Sequence, residues 1–283
     1  MREVPEGDAR TIRIAPPRGW GFPNLAELWH ARELVYFLVW RDIKVRYKQA
    51  VLGIAWVVFQ PIATVVIFSL FFGRLLRVPS GDLPYPVFAF AGLLPWSYFS
   101  ASLSRATGSL VGNANLLTKA YLPRMAIPLS SVLSGLIDTG ISFVVLVGLM
   151  LLYHVPLTFT AFMAIPFLVL ATLAALGFGL WFGSLNVRYR DVGHLVPFLV
   201  QIWMYLTPVI YASTLIPERF RFLLALNPMT LVVEGIRWSL LGQTLTTTGA
   251  PWALALSLGI TASVLVSGLV FFAKVEKSFT DVV

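Results

Sequence analysis

Four cations, Arg41, Lys44, Arg46 and Lys48, stand just ahead of the first long apolar run of the chain. At the level of lipid headgroups such a cluster is what phosphate oxygens need electrostatically. Plain attraction to anionic lipid, about 1 kcal/mol per basic residue near the surface, would use the same charges. Asp138 is the acid that sits at the centre of an apolar run, where a carboxylate is costly and faces a bundle interior or an aqueous cavity. A proton relay would use such a group. With no second acid and no membrane-embedded basic partner in view, a hydrogen-bonded structural role is the favoured reading. Gln60, beside Pro61, puts an amide into an apolar run and is therefore expected to turn away from lipid, as is Gln201. Glu234 and Arg237 lie three apart, on one face of a helix and able to pair. Enzymatic chemistry finds little to work with. The thirteen acids are dispersed, the histidines His30, His154 and His194 are scattered, and there is no cysteine. No catalytic set and no metal site are expected.

These residues belong to a chain of 283 that is 58% hydrophobic and only 12% charged, against about a quarter charged in soluble domains. The composition predicts an all-α polytopic membrane protein. Six transmembrane helices are expected at about 51–73, 86–107, 126–152, 160–185, 194–212 and 251–273. Residues 1–23 are charged, proline-rich and without the apolar core of a signal peptide, and read as a flexible tail. Residues 24–50 read as an amphipathic interface helix. Asn24 and Glu27 form its capping box, Trp29, Tyr36, Trp40, Ile43 and Tyr47 one face, and basic residues much of the other. The fifth span is short and interrupted, with Pro197, Gln201, Trp203, Tyr205 and Pro208 inside or near it, as a pathway-lining or bundle-packing helix would be.

Between the fifth and sixth spans, Pro217 starts a short helix, and Asn227-Pro228 caps a second that runs to Leu241 and stops at Gly242. At fourteen residues the second helix reaches roughly 21 Å, short of a hydrocarbon core of about 30 Å. Residues 218–242 therefore read as a re-entrant helical hairpin in the outer leaflet. With six spans both termini share a side. Sixteen Lys and Arg then fall on the terminal side and five on the other, which makes the termini cytoplasmic. The net charge of +8 is explained by this topology, and no nucleic acid partner is expected.

Five blocks in order carry a family resemblance: WRDIKVRYKQAVLGIAWVVFQP (Trp40–Pro61), GLLPWSYF (Gly92–Phe99), NANLLTKAYLPRMAIP (Asn113–Pro128), NVRYRDVGHLVPFLVQIW from Asn186, and NPMTLVVEGIRWSLLG (Asn227–Gly242). Together they resemble the permease subunit of ABC-2 polysaccharide exporters, which move lipid-linked O-antigen, teichoic acid or capsule-type glycans across the bacterial inner membrane. The resemblance implies a homodimer with a glycan channel along its axis. It also implies two copies of a separate nucleotide-binding ATPase subunit, which would bind ATP and Mg. This chain has no Gly-Lys pair and hence no P-loop of its own, so it is read as a transport subunit that is not itself an enzyme.

Under that resemblance Arg41, Lys44, Arg46 and Lys48 become the substrate entrance, facing the phosphates of a lipid-linked glycan among membrane lipids. Trp56, Phe59, Gln60, Phe68, Trp203 and Tyr205 become channel-lining candidates, because aromatic faces grip the C–H faces of sugars while tolerating sliding. Asn115, Leu116, Leu117, Lys119, Tyr121 and Arg124, with Arg188 and Asp191, become the coupling surface for the ATPase. A short loop helix that exposed so many apolar residues would need a partner. The hairpin with Glu234 and Arg237 becomes an outer gate. A teichoic acid exporter is the alternative within the family. A drug or lipid permease of the same type differs only in substrate. A proton-coupled secondary transporter would need a coupling-ion site, and the spans show no internal repeat.

Overall fold

A computed structural model describes residues 25–48, 53–81, 83–119 and 122–276, and they form helices joined by turns. Asn24 and Tyr121 lie outside them, as does the side chain of Lys119. The helices are α1 (Leu25–His30), α2 (Arg32–Lys48), α3 (Gly53–Phe68), α4 (Tyr85–Gly112), α5 (Ala114–Lys119), α6 (Ala126–Leu133), α7 (Gly135–Leu152), α8 (Ala164–Arg188), α9 (Val192–Leu206), α10 (Glu218–Ala225), α11 (Pro228–Leu241) and α12 (Pro251–Val275). Five stretches are long and apolar enough to cross a membrane: Val58–Leu75, Tyr85–Gly112, Ala126–Leu152, Phe159–Arg188 and Pro251–Val275. The all-α polytopic class holds. The expected fifth span is α9, whose 15 residues cover roughly 22 Å before the chain leaves the helix at Thr207. It is thus shorter than the expected 194–212, and Pro208 lies beyond its end.

Small residues bring the central helices together. α4 is buried along most of its length and packs chiefly on α8, which in turn packs on α12. A Cβ added at Gly177 would lie 2.9 Å from the backbone of Leu265, and one at Gly268 would lie 2.6 Å from the Gly177 carbonyl oxygen. At the other contact a Cβ on Gly179 would come within 2.6 Å of Ala106 Cβ. Backbones this close gain dispersion contacts that lipid cannot supply.

α4 continues five residues beyond its expected end, through Gly112. Its polar residues in that stretch satisfy themselves inside the helix, with Thr107 Oγ1 donating to Leu103 O at 2.9 Å and Ser109 Oγ to Ala106 O at 2.7 Å. Arg105 lies well inside this helix, two residues before the expected end. The interface helix is also less simply two-faced than expected. Val35 and Leu38 are buried, and α2 packs on α6, while Trp29, Tyr36 and Trp40 point outward. A turn at Ala31 separates α1 from α2.

One end of the molecule gathers the loops. Asn186 Nδ2 donates to Thr107 O at 3.0 Å, and its Oδ1 accepts from Gly193 N at 2.8 Å, pinning the α8–α9 turn to the end of α4. Arg124 bonds the backbone carbonyl of Glu276 just past α12. Burial pushes the Glu276 carboxyl up, Arg124 opposes the rise, and nearby Glu27 of α1 adds to it. The start of α1 and the end of α12 thus share a side.

The glycine contacts give a direct test. Gly268→Leu should push α12 off α8 and cost about 2–3 kcal/mol, read as a lower thermal midpoint in detergent. Gly140→Leu, at a position where an added Cβ meets nothing within 4 Å, should leave that midpoint within about 1 °C.

Candidate functional site

Asp138 does have basic partners. Arg46, at the end of α2, bonds one of its carboxylate oxygens, and the Tyr47 hydroxyl donates to the other. Arg46 Nη2 also donates to Ser134 Oγ at 3.2 Å. Arg105 approaches from α4, its Nη1 at 4.0 Å from the oxygen that Arg46 holds. Its Nη2 donates to Ser102 Oγ at 3.1 Å and its Nε to Ser131 O at 3.4 Å. Gly135 makes room for this guanidinium, since a Cβ there would overlap Arg105 Nη2 and sit 2.8 Å from Ser102 Oγ. Burial, then the Asp138 bond, push the Tyr47 hydroxyl up to about 12, so it remains a donor across the physiological range.

Asp138 is hydrogen-bonded, as its favoured reading has it, but the basic partner that the sequence did not bring into view is present. The partners come from helices distant in sequence, which no local spacing announces. Arg105 is a site residue that the sequence does not single out. Its one visible signal was the run of small polar residues, Ser100, Ser102 and Ser104, on the approach to it.

The cluster forms one end of a cavity of about 750 Å³ whose walls include Trp56, Gln60, Phe68, Trp96, Tyr98 and Thr139. Of the sequence-predicted site residues, Arg46, Trp56, Gln60 and Phe68 come together here. Phe59 sits beside Trp56, ring centroids 5.7 Å apart, but faces outward. Of the other entrance cations, Arg41 is bound to Asp42 at 2.8 Å. Lys44 lies over the Trp40 ring at 5.3 Å, and both Lys44 and Lys48 are exposed.

Trp203 is not a wall of this cavity. Its indole packs edge-on against Phe99 and Phe178, centroids 5.1 and 5.0 Å away, and its Nε1 donates to Asn227 Oδ1 at 3.0 Å. It serves the protomer interior, because the interior, unlike lipid, offers that N–H an acceptor. Tyr205, 57% exposed, faces out from α9.

Both helices of the 218–242 region form with the ends read from sequence. Asn227 Oδ1 accepts from Met229 N at 3.0 Å as the cap of α11, and Gly242 ends it with φ 67°. Glu234 and Arg237 are buried, but each bonds backbone rather than the other. Glu234 Oε2 takes Thr247 N, Thr248 N and Thr248 Oγ1 at 3.1, 3.0 and 2.8 Å. Arg237 Nη1 donates to Pro208 O at 2.7 Å and to Tyr211 O at 3.3 Å, Nε to Phe88 O at 3.3 Å, and Nη2 to Val209 O. Its guanidinium stacks over Phe88 at 3.7 Å. The broken chain after α9 leaves carbonyls without helical donors, and Arg237 supplies them.

At the loop end, Leu117 is only 7% exposed, and Leu116 and Leu122 pack on the core. The apolar surface expected to need a partner is thus largely covered by the chain itself. Asn115, Arg188 and Asp191 remain exposed there, and Arg124 is held by Glu276.

Fold and cavity define a multi-pass membrane protein with a polar, aromatic-walled chamber. Residues 33–241 match the ABC-2 type transporter family, and the chain belongs to it. Its relatives include the O-antigen export system permease protein RfbA of Klebsiella pneumoniae, 28% identical over 88% of this chain and 95% of the relative. RfbA of Myxococcus xanthus is 34% identical over 72% of this chain and 78% of its own. The polysialic acid transport protein KpsM of Escherichia coli is 26% identical over 69% and 76%.

Arg237→Met should strand several buried carbonyls and lower stability by about 3 kcal/mol, whereas Glu218→Gln, at an exposed site, should cost under about 0.5 kcal/mol. Thermal unfolding in detergent, followed by circular dichroism, would measure both.

Proposed function

We propose that this chain is the permease subunit of an ABC exporter that carries a lipid-linked, O-antigen-like polysaccharide across the inner membrane. ATP hydrolysed in a separate subunit drives it. The observation that carries the reading is the chamber in which Arg46 and Arg105 stand at one end of walls built from Trp56, Gln60, Phe68 and Trp96. Cations suit a phosphate, aromatic faces suit sugar C–H faces, and an amide suits hydroxyls. The relatives named for O-antigen and polysialic acid export support the same substrate class.

Two copies of the chain form the transporter, and two ATPase subunits dock on the end that carries Asn115, Arg188 and Asp191. ATP and Mg belong to those subunits. That end, with both termini, is cytoplasmic. In the dimer Phe59 and Tyr205, which face outward from α3 and α9, come to the shared channel.

Two measurements test this reading. Tagged protein drawn from its host in mild detergent should bring down an equimolar P-loop ATPase, and recovery of the chain alone at every salt concentration would end the ATP-driven reading. Because the native sequence has no cysteine, single introduced thiols report topology cleanly. An impermeant thiol reagent added to intact spheroplasts should label Leu157→Cys and spare Asn115→Cys, and the reverse pattern would invert the orientation.

A further inference from the structure

The polar end of the chamber carries more positive than negative charge. Two guanidiniums, Arg46 and Arg105, face one carboxylate, Asp138, among the cavity-lining residues, while Arg41 and Asp42 stand off the wall. Asp42 is taken by Arg41. Asp138 is taken by Arg46 and Tyr47, which leaves Arg105 Nη1 at 4.0 Å from it, beyond hydrogen-bond range. The side chains of Arg46, Arg105 and Asp138 are 26%, 29% and 25% exposed, and all three line the cavity. Further along α4 and α3 the lining becomes apolar and aromatic, at Trp96, Leu94 and Phe68. A site with one uncompensated positive charge, two forked donors and an adjoining apolar wall fits an anion joined to a hydrocarbon chain.

We propose that Arg46 and Arg105 form a phosphate-ester site in which Asp138 is the resident counter-ion, displaced when a phosphate-bearing amphiphile binds. Two guanidiniums held near one carboxylate oxygen are spaced to share a phosphate, each through paired N–H donors. The Tyr47 hydroxyl, released from Asp138 at the same moment, donates to a third oxygen. Displacement also has a mechanical consequence. Asp138 is where α7 holds Arg46 and Tyr47, so phosphate binding loosens the end of α2 from α7. This site deepens the function proposed above, since a lipid-linked glycan carries phosphate where lipid meets sugar. A bulk phospholipid headgroup offers the same chemistry.

Binding of farnesyl diphosphate to the full-length protein in phosphatidylcholine nanodiscs tests the site by equilibrium dialysis of labelled probe. Farnesol, inorganic diphosphate and discs containing phosphatidylglycerol serve as comparisons. Saturable binding is expected, and unlabelled farnesol should not compete. Arg105→Gln should weaken it about tenfold or more, and Asp138→Asn should tighten it severalfold. A merely structural Asp138 would give no gain, so a folded Asp138→Asn that binds no more tightly overturns the proposal. Should that variant fail to insert, Arg105→Lys decides. Binding weaker than that of the native protein but clearly tighter than that of Arg105→Gln supports the site, since Lys keeps the charge and loses the fork, and a loss equal to that of Arg105→Gln overturns it. Phosphatidylglycerol that competes as well as the prenyl diphosphate would make this a lipid-headgroup site and overturn the substrate assignment. A chain that co-purifies with its ATPase yet binds no prenyl diphosphate would remove this site while leaving the transporter reading intact.

Discussion

In a bilayer, apolar side chains gain little by leaving lipid for protein, so the approach of helix backbones must supply the attraction. The contacts of α4, α8 and α12 through Gly177, Gly179, Gly268 and Ala106 meet that requirement, and the rest of the structure hangs on them. They make a rigid slab of α4 and α8 against which α6, α9 and α11 pack. Arg105 can be presented to the chamber because α4, its carrier, is fixed along its length. α3, by contrast, buries little of itself and has cavities on two sides. The chamber is thus a space between a fixed wall and a loosely held one.

Polar locks hold the pieces that small-residue packing cannot. Each takes a backbone group that the helix geometry left without a partner. Asn227 caps α11 while binding Trp203 and, through Nδ2, Thr207 Oγ1 at 2.8 Å, so one side chain ties the end of α9 to the start of α11. Arg237 satisfies the chain just after α9, and Glu234 holds the turn at Thr247–Thr248. Two opposite charges three residues apart bind separate loops because unpaired amides and carbonyls in a low-dielectric interior cost more than a helix-surface ion pair gains. The region around α10 and α11 is bolted at both edges.

What was legible in the sequence follows from the range of the forces involved. The ends of α11 were readable because an Asn cap, a first-turn proline and a left-handed glycine act within a few residues. The apolar runs were readable because the hydrocarbon core imposes its own length. α4 was read short, since serines and threonines whose hydroxyls bond back to their own helix look like loop residues in composition alone. Trp203 was assigned to a channel because an indole in lipid, in a channel and in a protein interior looks the same until its N–H partner is known. Arg46, read as an entrance residue, and Trp56, Gln60 and Phe68, read as channel lining, share one cavity wall, a meeting that depends on how α2 and α3 pack. Arg105 was missed because its relation to Asp138 exists only after α4 and α7 have packed.

That last relation also bears on why a carboxylate is kept in an apolar span at all. A well-packed apolar residue at 138 would spare the desolvation of three charged groups, and buried ion pairs are weak contributors to stability. Without Asp138, however, Arg46 and Arg105 would face each other with no counter-ion between them, and their repulsion would push α2 off α7 or hold the cavity open. The carboxylate permits two cations to wait at one place before any anion arrives. The same reasoning accounts for the incomplete pairing. A counter-ion that bound both guanidiniums tightly would be hard to displace, whereas one bonded to Arg46 and 4.0 Å from Arg105 leaves Arg105, on the cavity wall, without a full carboxylate partner.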